Sequence, residues 1–99
     1  MAYEIIFKKR FTNKVVNLLG YLETEWGTKV SENFLKKMHK RFDTLSRQPY
    51  IGSPSQKIKN VRGILITRHN KVFYKASGNK IIILNLYDTR IDPKKNPYR

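Results

Sequence analysis

The side chains that could do chemistry in this sequence are almost all cationic. Twenty-one Lys and Arg stand against seven Asp and Glu, for a formal charge of +14. The chain has no cysteine and only two histidines, His39 and His69. Disulfides and thiolate metal sites are therefore excluded, and two histidines without a nearby carboxylate cluster do not make a metal site. No metal and no cofactor is expected. The charge is uneven. Residues 1–55 carry ten basic and five acidic groups, a net +5; residues 56–99 carry eleven and two, a net +9. A positive field of that density attracts phosphate backbones or an acidic protein. Solubility alone needs a net charge of roughly 2–8 on a small domain. Within the basic half His69 is the one side chain type that titrates near neutrality, so it is a candidate general base. The cations Lys57, Lys59, Arg68, Lys94 and Lys95 are candidates for holding a nucleic-acid backbone.

These residues need a scaffold, and 99 residues suffice for one domain, spanning 1–99, with one core. Tyr3 to Phe7 is a β-branched and aromatic run that predicts a first strand. The opening MAYEIIFKKRF is neither a signal peptide nor a membrane span, and a cytoplasmic location is expected. Thr12 or Asn13 can cap a helix whose apolar face is Val15, Leu18, Leu19, Leu22 and Trp26, with Trp26 as a core anchor. Gly27 closes it in a left-handed conformation. A second helix begins at Thr28 or Ser31, carries Val30, Phe34, Met38, Phe42 and Leu45 on its apolar face, and stops at Gln48-Pro49. Lys36, Lys37, Lys40 and Arg41 line its other face, as a solvated surface or one that an acidic segment could use. The short turn between the helices predicts an antiparallel hairpin.

Tyr50 to Gln56 reads as loop. Three strands follow: Val61–Thr67, Lys71–Ala76 after a His69-Asn70 turn, and Lys80–Tyr87 after Ser77-Gly78-Asn79. The unbroken run Ile81-Ile82-Ile83-Leu84 predicts a central strand covered on both faces. Asp88 to Arg99, with Pro93 and Pro97, reads as an extended tail. Tyr74 is expected in the core, and Asp88 and Arg90 can pair. The expected class is α+β in the order β-α-α-β-β-β, a helical hairpin packed on one face of a mostly antiparallel twisted sheet.

That order, with Trp26-Gly27 at the helical turn, Leu45…Pro49…Gly52 leaving the second helix, Asn70-Lys71-Val72-Phe73-Tyr74, and Lys80-Ile-Ile-Ile-Leu-Asn-Leu-Tyr-Asp-Thr-Arg90-Ile-Asp-Pro93, resembles the RelE/ParE superfamily of toxins over nearly the whole chain. The resemblance implies a toxin neutralised by a cognate antitoxin, and no membrane partner. It also implies one of two actions: ribosome-dependent mRNA cleavage, as in RelE-like members, or poisoning of DNA gyrase, as in ParE-like members. A metal-free ribonuclease must deprotonate a 2′-hydroxyl, stabilise a pentavalent phosphorane and protonate a leaving oxygen. The resemblance assigns those tasks to Arg62, Lys71, Arg90 and Tyr98, with His69 in reserve. The set is only partly matched. The second strand lysine of RelE falls on Ile64, its strand arginine on Lys71, which lacks the bidentate fork, and its last arginine on Ile91, beside Arg90. A plain nucleic-acid-binding module, or a degenerate toxin without activity, is the remaining reading.

Overall fold

A computed structural model describes residues 2–98 of the chain. Strand β1 (Glu4–Phe7) leads into helix α1 (Lys9–Trp26) and helix α2 (Thr28–Arg47); strands β2 (Ser53–Pro54), β3 (Arg62–Thr67), β4 (Asn70–Ser77) and β5 (Lys80–Asp88) follow, and a 3-10 turn (Pro93–Lys95) lies near the end. The sheet order is β1-β5-β4-β3-β2. The helical hairpin carries the chain from one sheet edge to the other. The meander β3-β4-β5 then returns antiparallel and sets β5 parallel against β1, from Glu4 opposite Lys80 to Phe7 opposite Ile83.

Both helices lie on one face of the sheet. The core is built from Phe11 and Val15 of α1, Phe34, Met38, Phe42 and Leu45 of α2, and the inward residues of β3, β4 and β5: Ile64, Ile66, Val72, Tyr74, Ile81, Ile83 and Leu86. The alternation in β4 and β5 follows from the two-residue repeat of a strand. Ile81 and Ile83 are fully buried beneath the helices, while Ile82 and Leu84 are half-buried. The isoleucine run is thus central, but no second layer covers its outer face, contrary to the expectation of two covered faces.

Four other sequence expectations need correction. Helix α1 begins at Lys9, earlier than a Thr12 or Asn13 cap would set it, with Lys8 as an N-cap that makes no side-chain bond. Thr12 instead lies in the first turn, its hydroxyl donating to the Lys9 carbonyl at 3.0 Å. Trp26 is not a core anchor but 66% exposed. Burial fades along α1, from Phe11 and Val15 through half-buried Leu18, Leu19 and Leu22, because a helix about 27 Å long outruns the sheet beneath it. The 50–56 segment is not all loop: Ser53 and Pro54 pair with Gly63 and Arg62, making a two-residue edge strand too short to leave a pattern. The β3–β4 turn is Arg68-His69, one residue earlier than read. Gly27 does take a positive φ (93°), but with ψ 166°, a region open essentially to glycine alone. That residue lets α2 start at once.

Candidate functional site

Strand alternation divides the basic and aromatic residues of β3, β4 and β5 between two faces, and register decides which residues meet. Arg62 is paired with Tyr74, which points into the helix-side core. Lys71 is paired with Leu65 on one side and Tyr87 on the other, and Phe73 with Gly63 and Asn85. Lys71 and Phe73 alternate with the buried Val72 and Tyr74, so they stand on the open face of the sheet.

On the helix side, Tyr74 is completely buried, as expected. Its hydroxyl accepts from the Gly52 amide at 2.9 Å and donates to the Pro49 carbonyl at 2.9 Å. Burial raises its pKa, and the Gly52 bond and the Arg62 charge oppose that rise. A Cβ on Gly52 would stand 2.6 Å from that hydroxyl and 2.8 Å from the Gly63 carbonyl, so only glycine fits. Arg62 closes the same loop: its guanidinium donates to the Tyr50 and Gly52 carbonyls at 3.2 and 2.8 Å and lies over the Tyr50 ring at 5.3 Å.

The open face carries a cleft of about 520 Å³. Leu65, Lys71, Phe73 and Tyr87 line it together with the Ser53–Gln56 segment and with Tyr98 and Asn96 from the end of the chain. Phe73, Tyr87 and Tyr98 form an aromatic cluster. Phe73 and Tyr98 are stacked at 5.1 Å, and Tyr87 meets them at 6.2 and 5.9 Å. The Lys71 ammonium lies 5.6 Å from the Phe73 ring centre. Gly63 leaves room beside that ring for the lysine stem, since any Cβ there would collide with it.

The end of the chain is not a free extended tail. Asp92 receives the Lys94 amide and starts the 3-10 turn, which proline at its first position favours. The Lys57 ammonium donates to the Pro93 and Asn96 carbonyls at 3.0 and 3.2 Å, and the Ser55 hydroxyl donates to the Tyr98 carbonyl. Asn96 is 7% exposed and holds the Tyr98 amide on its side-chain oxygen at 3.0 Å. This latch brings Tyr98, the aromatic residue farthest along the chain, onto a ring of β4.

Of the residues singled out from sequence, the cleft gathers Lys71, Tyr98 and Arg68. Arg62 stands across the sheet. Arg90 is exposed and engaged in a bidentate pair with Asp88 at 2.9 and 2.7 Å, so the expected pairing of these two forms. That arginine holds the Asp88 carboxyl well below its ordinary range, at about 2. His69 sits in the β3–β4 turn, its carbonyl accepting from the Thr89 amide at 2.9 Å, with the Arg68 Nε 3.3 Å from its ring nitrogen. Lys57 is spent on the latch. Lys59, Lys94 and Lys95 are exposed.

Lys14 is a residue the sequence reading missed. Beyond Ile83 the outer edge of β5 is left without a strand partner. The Lys8 amide donates to the Ile83 carbonyl at 2.9 Å, and the Lys14 ammonium donates to the Leu86 carbonyl at 3.1 Å while lying 3.6 Å over the Tyr87 ring. Burial, reinforced by the Arg10 charge, lowers its pKa. The signal was a lysine at the helical spacing of Phe11, Val15 and Leu18, on the apolar stripe itself.

The family model describing the ParE toxin of the type II toxin–antitoxin system parDE matches residues 5–93. The chain belongs to that family. It is the toxin of a type II toxin–antitoxin system, and its partner is an antitoxin. The fold is shared with a chromosomal ParDE system of P. aeruginosa, at TM-score 0.74 and 13% identity over 88% of this chain and 96% of that one. It is also shared with a mutant of the E. coli toxin RelE in the free state, at 0.62 and 15% over 91% and 86%. A YoeB dimer from Staphylococcus aureus gives 0.60 and 14% over 88% and 97%. Among curated proteins no sequence matches the chain. No helix among the described residues is long and apolar enough to cross a membrane.

Proposed function

We propose that this toxin acts in the ParE manner, by binding a protein target, DNA gyrase, and not by cutting mRNA. The observation that carries this reading is the scattering of the cationic set. Metal-free cleavage needs a base, an acid and charge around one phosphate. Arg62 is turned to the helix side and bound to two backbone carbonyls, and Arg90 is engaged by Asp88. Only Lys71 and Arg68 remain at the cleft beside Tyr98. The match to the ParE family model supports the same reading. The cleft suits a protein instead. Its half-exposed Tyr87 and Tyr98 rings, seated on the buried Phe73 with cations at their margin, resemble the aromatic-rich centre and polar rim of protein interfaces. A cytoplasmic site of action follows from that target.

The test is a supercoiling assay with purified gyrase and the full chain. Inhibition with accumulation of cleaved DNA is expected, and Lys71→Ala should weaken it. Undisturbed supercoiling at a large excess of the chain would reject the reading. Ribosome-dependent mRNA cleavage has one observation in its favour, that Lys71 and Tyr98 share the cleft. It then predicts cleavage that survives Arg62→Ala.

A further inference from the structure

The cleft leaves the outer surface of α2 unused. Phe34, Met38, Phe42 and Leu45 turn this helix inward. Lys36 and Lys40 follow Phe34 and Met38 by two residues, about 200° around the helix, so they point directly away from the core. Lys29 and Arg47 fall on the same line, with Asn33 and Thr44 beside it and Lys37 at its flank; the exposed acids Glu32 and Asp43 share this face, so its cations outnumber its acids by five to two. Lys29, Lys36, Lys37, Lys40 and Arg47 are exposed. Among the described residues the ion pairs are Arg47–Asp43 and Arg90–Asp88, so the four lysines face solvent with no carboxylate bound to them. From Lys29 to Arg47 the stripe runs about 27 Å, a length over which duplex DNA carries about 16 phosphate charges.

We infer that the outer face of α2 binds the phosphate backbone of duplex DNA, without reading its sequence, on the side of the sheet opposite the cleft. The composition of the stripe separates this from a protein-binding surface. Protein interfaces place aromatic and other apolar residues at their centre and are depleted in lysine. The only large exposed apolar residue of α2 is Val30, near one end. Of the other exposed apolar side chains, Tyr50, Ile51, Ile58 and Leu65 lie on or near β2 and β3, Phe7 in β1, and Val16, Tyr21 and Trp26 on α1. Lysine acts as a point charge on a mobile stem, which suits phosphates along a groove and demands no fixed geometry. The stripe is also regular: Lys29, Lys36, Lys40 and Arg47 succeed one another by seven, four and seven positions along one rigid element. The inference does not depend on which target the cleft engages.

The test measures binding of the full chain to a labelled random-sequence DNA duplex by fluorescence anisotropy across a salt series. Two triple variants of equal net charge are compared: Lys36→Gln/Lys37→Gln/Lys40→Gln on α2, and Lys59→Gln/Lys94→Gln/Lys95→Gln on the other side. The α2 variant should bind at least about tenfold more weakly near 0.1 M salt, and its log–log salt slope should fall by about 2 to 3, as for three lost phosphate contacts. The other variant should retain most of the affinity. Equal losses in both variants would mean diffuse charge and overturn the inference, as would loss confined to the second variant. Binding of poly-L-glutamate as tight as that of DNA, with the same dependence on the α2 lysines, would reassign the face to an acidic polypeptide and overturn it too.

Discussion

Arg62 and Lys71 carry the same charge on adjacent strands, yet they serve opposite sides of the sheet. Around Arg62, the polar groups meet one another: one guanidinium nitrogen donates to two loop carbonyls, and the Tyr74 hydroxyl accepts from the Gly52 amide and donates to the Pro49 carbonyl. Around Lys71, the neighbours are ring faces and the walls of a cleft. The first region fixes the path of residues 49–54 and thereby seats β2; the second presents an unpaired cation to whatever enters. A cation with its donors engaged in backbone contacts maintains a fold, and one left over an aromatic surface is available for a partner. The two regions are coupled. The loop that Arg62 and Tyr74 hold leads into Ser55, whose hydroxyl grips the Tyr98 carbonyl.

The largest effect is expected at Phe73, the ring that joins Lys71 to Tyr98. It is 3% exposed although it lies on the open face. Phe73→Ala should cost about 3–5 kcal/mol and release the end of the chain, which urea denaturation and proteolysis after residue 90 would both register. Tyr74→Phe tests the helix side alone. It leaves a buried amide and a buried carbonyl without their partner and should cost about 1–3 kcal/mol, read as a shift in the urea midpoint with unchanged slope. A sharper division is expected between Arg62→Ala and Lys71→Ala. Loss of the Arg62 contacts should lower stability by about 1 kcal/mol and leave growth arrest intact at permissive temperature. Lys71→Ala should change stability by less than about 0.5 kcal/mol and weaken the arrest. Growth curves on induction, set beside thermal melts, would show whether the two readouts separate in this way.

The smallest effect concerns Asp88 and Arg90. The folded pKa of Asp88, about 2, lies below its ordinary value of 3.8. The stabilisation is therefore complete above pH ~4 and is lost as pH falls towards 2. Because the pair is exposed to solvent, the change should be a slight one. Melting temperatures across that range should decline less steeply in Asp88→Asn than in the parent chain.

The helices, the three long strands and much of the core were legible because apolar residues recur at the period of each element: Phe34, Met38 and Phe42 for α2, and Val72 and Tyr74 for β4. The same alternation already separates Lys71 and Phe73 from their neighbours. It does not say on which side Arg62 falls. That depends on how β3 is registered against β4, which the Arg68-His69 turn and an irregularity between Leu65 and Thr67 set together. Strand β2 was illegible, since two residues, Ser53 and Pro54, carry no pattern. The position of Tyr98 depends on contacts with Ser55, Phe73 and Tyr87, far away in sequence, and no local signal encodes them. Lys14 was legible in principle, as a charge on the apolar stripe of α1, and its partner, the unpaired edge of β5, emerges only from the sheet order.

We propose that this ParE-family toxin acts on a protein target with its open sheet face and does not cleave mRNA. Expression of the chain without antitoxin, with mRNA 5′ ends mapped and the DNA-damage response scored in one culture, tests it most directly. A DNA-damage response with intact mRNA is expected; new 5′ ends within translated codons and undamaged DNA would refute the proposal.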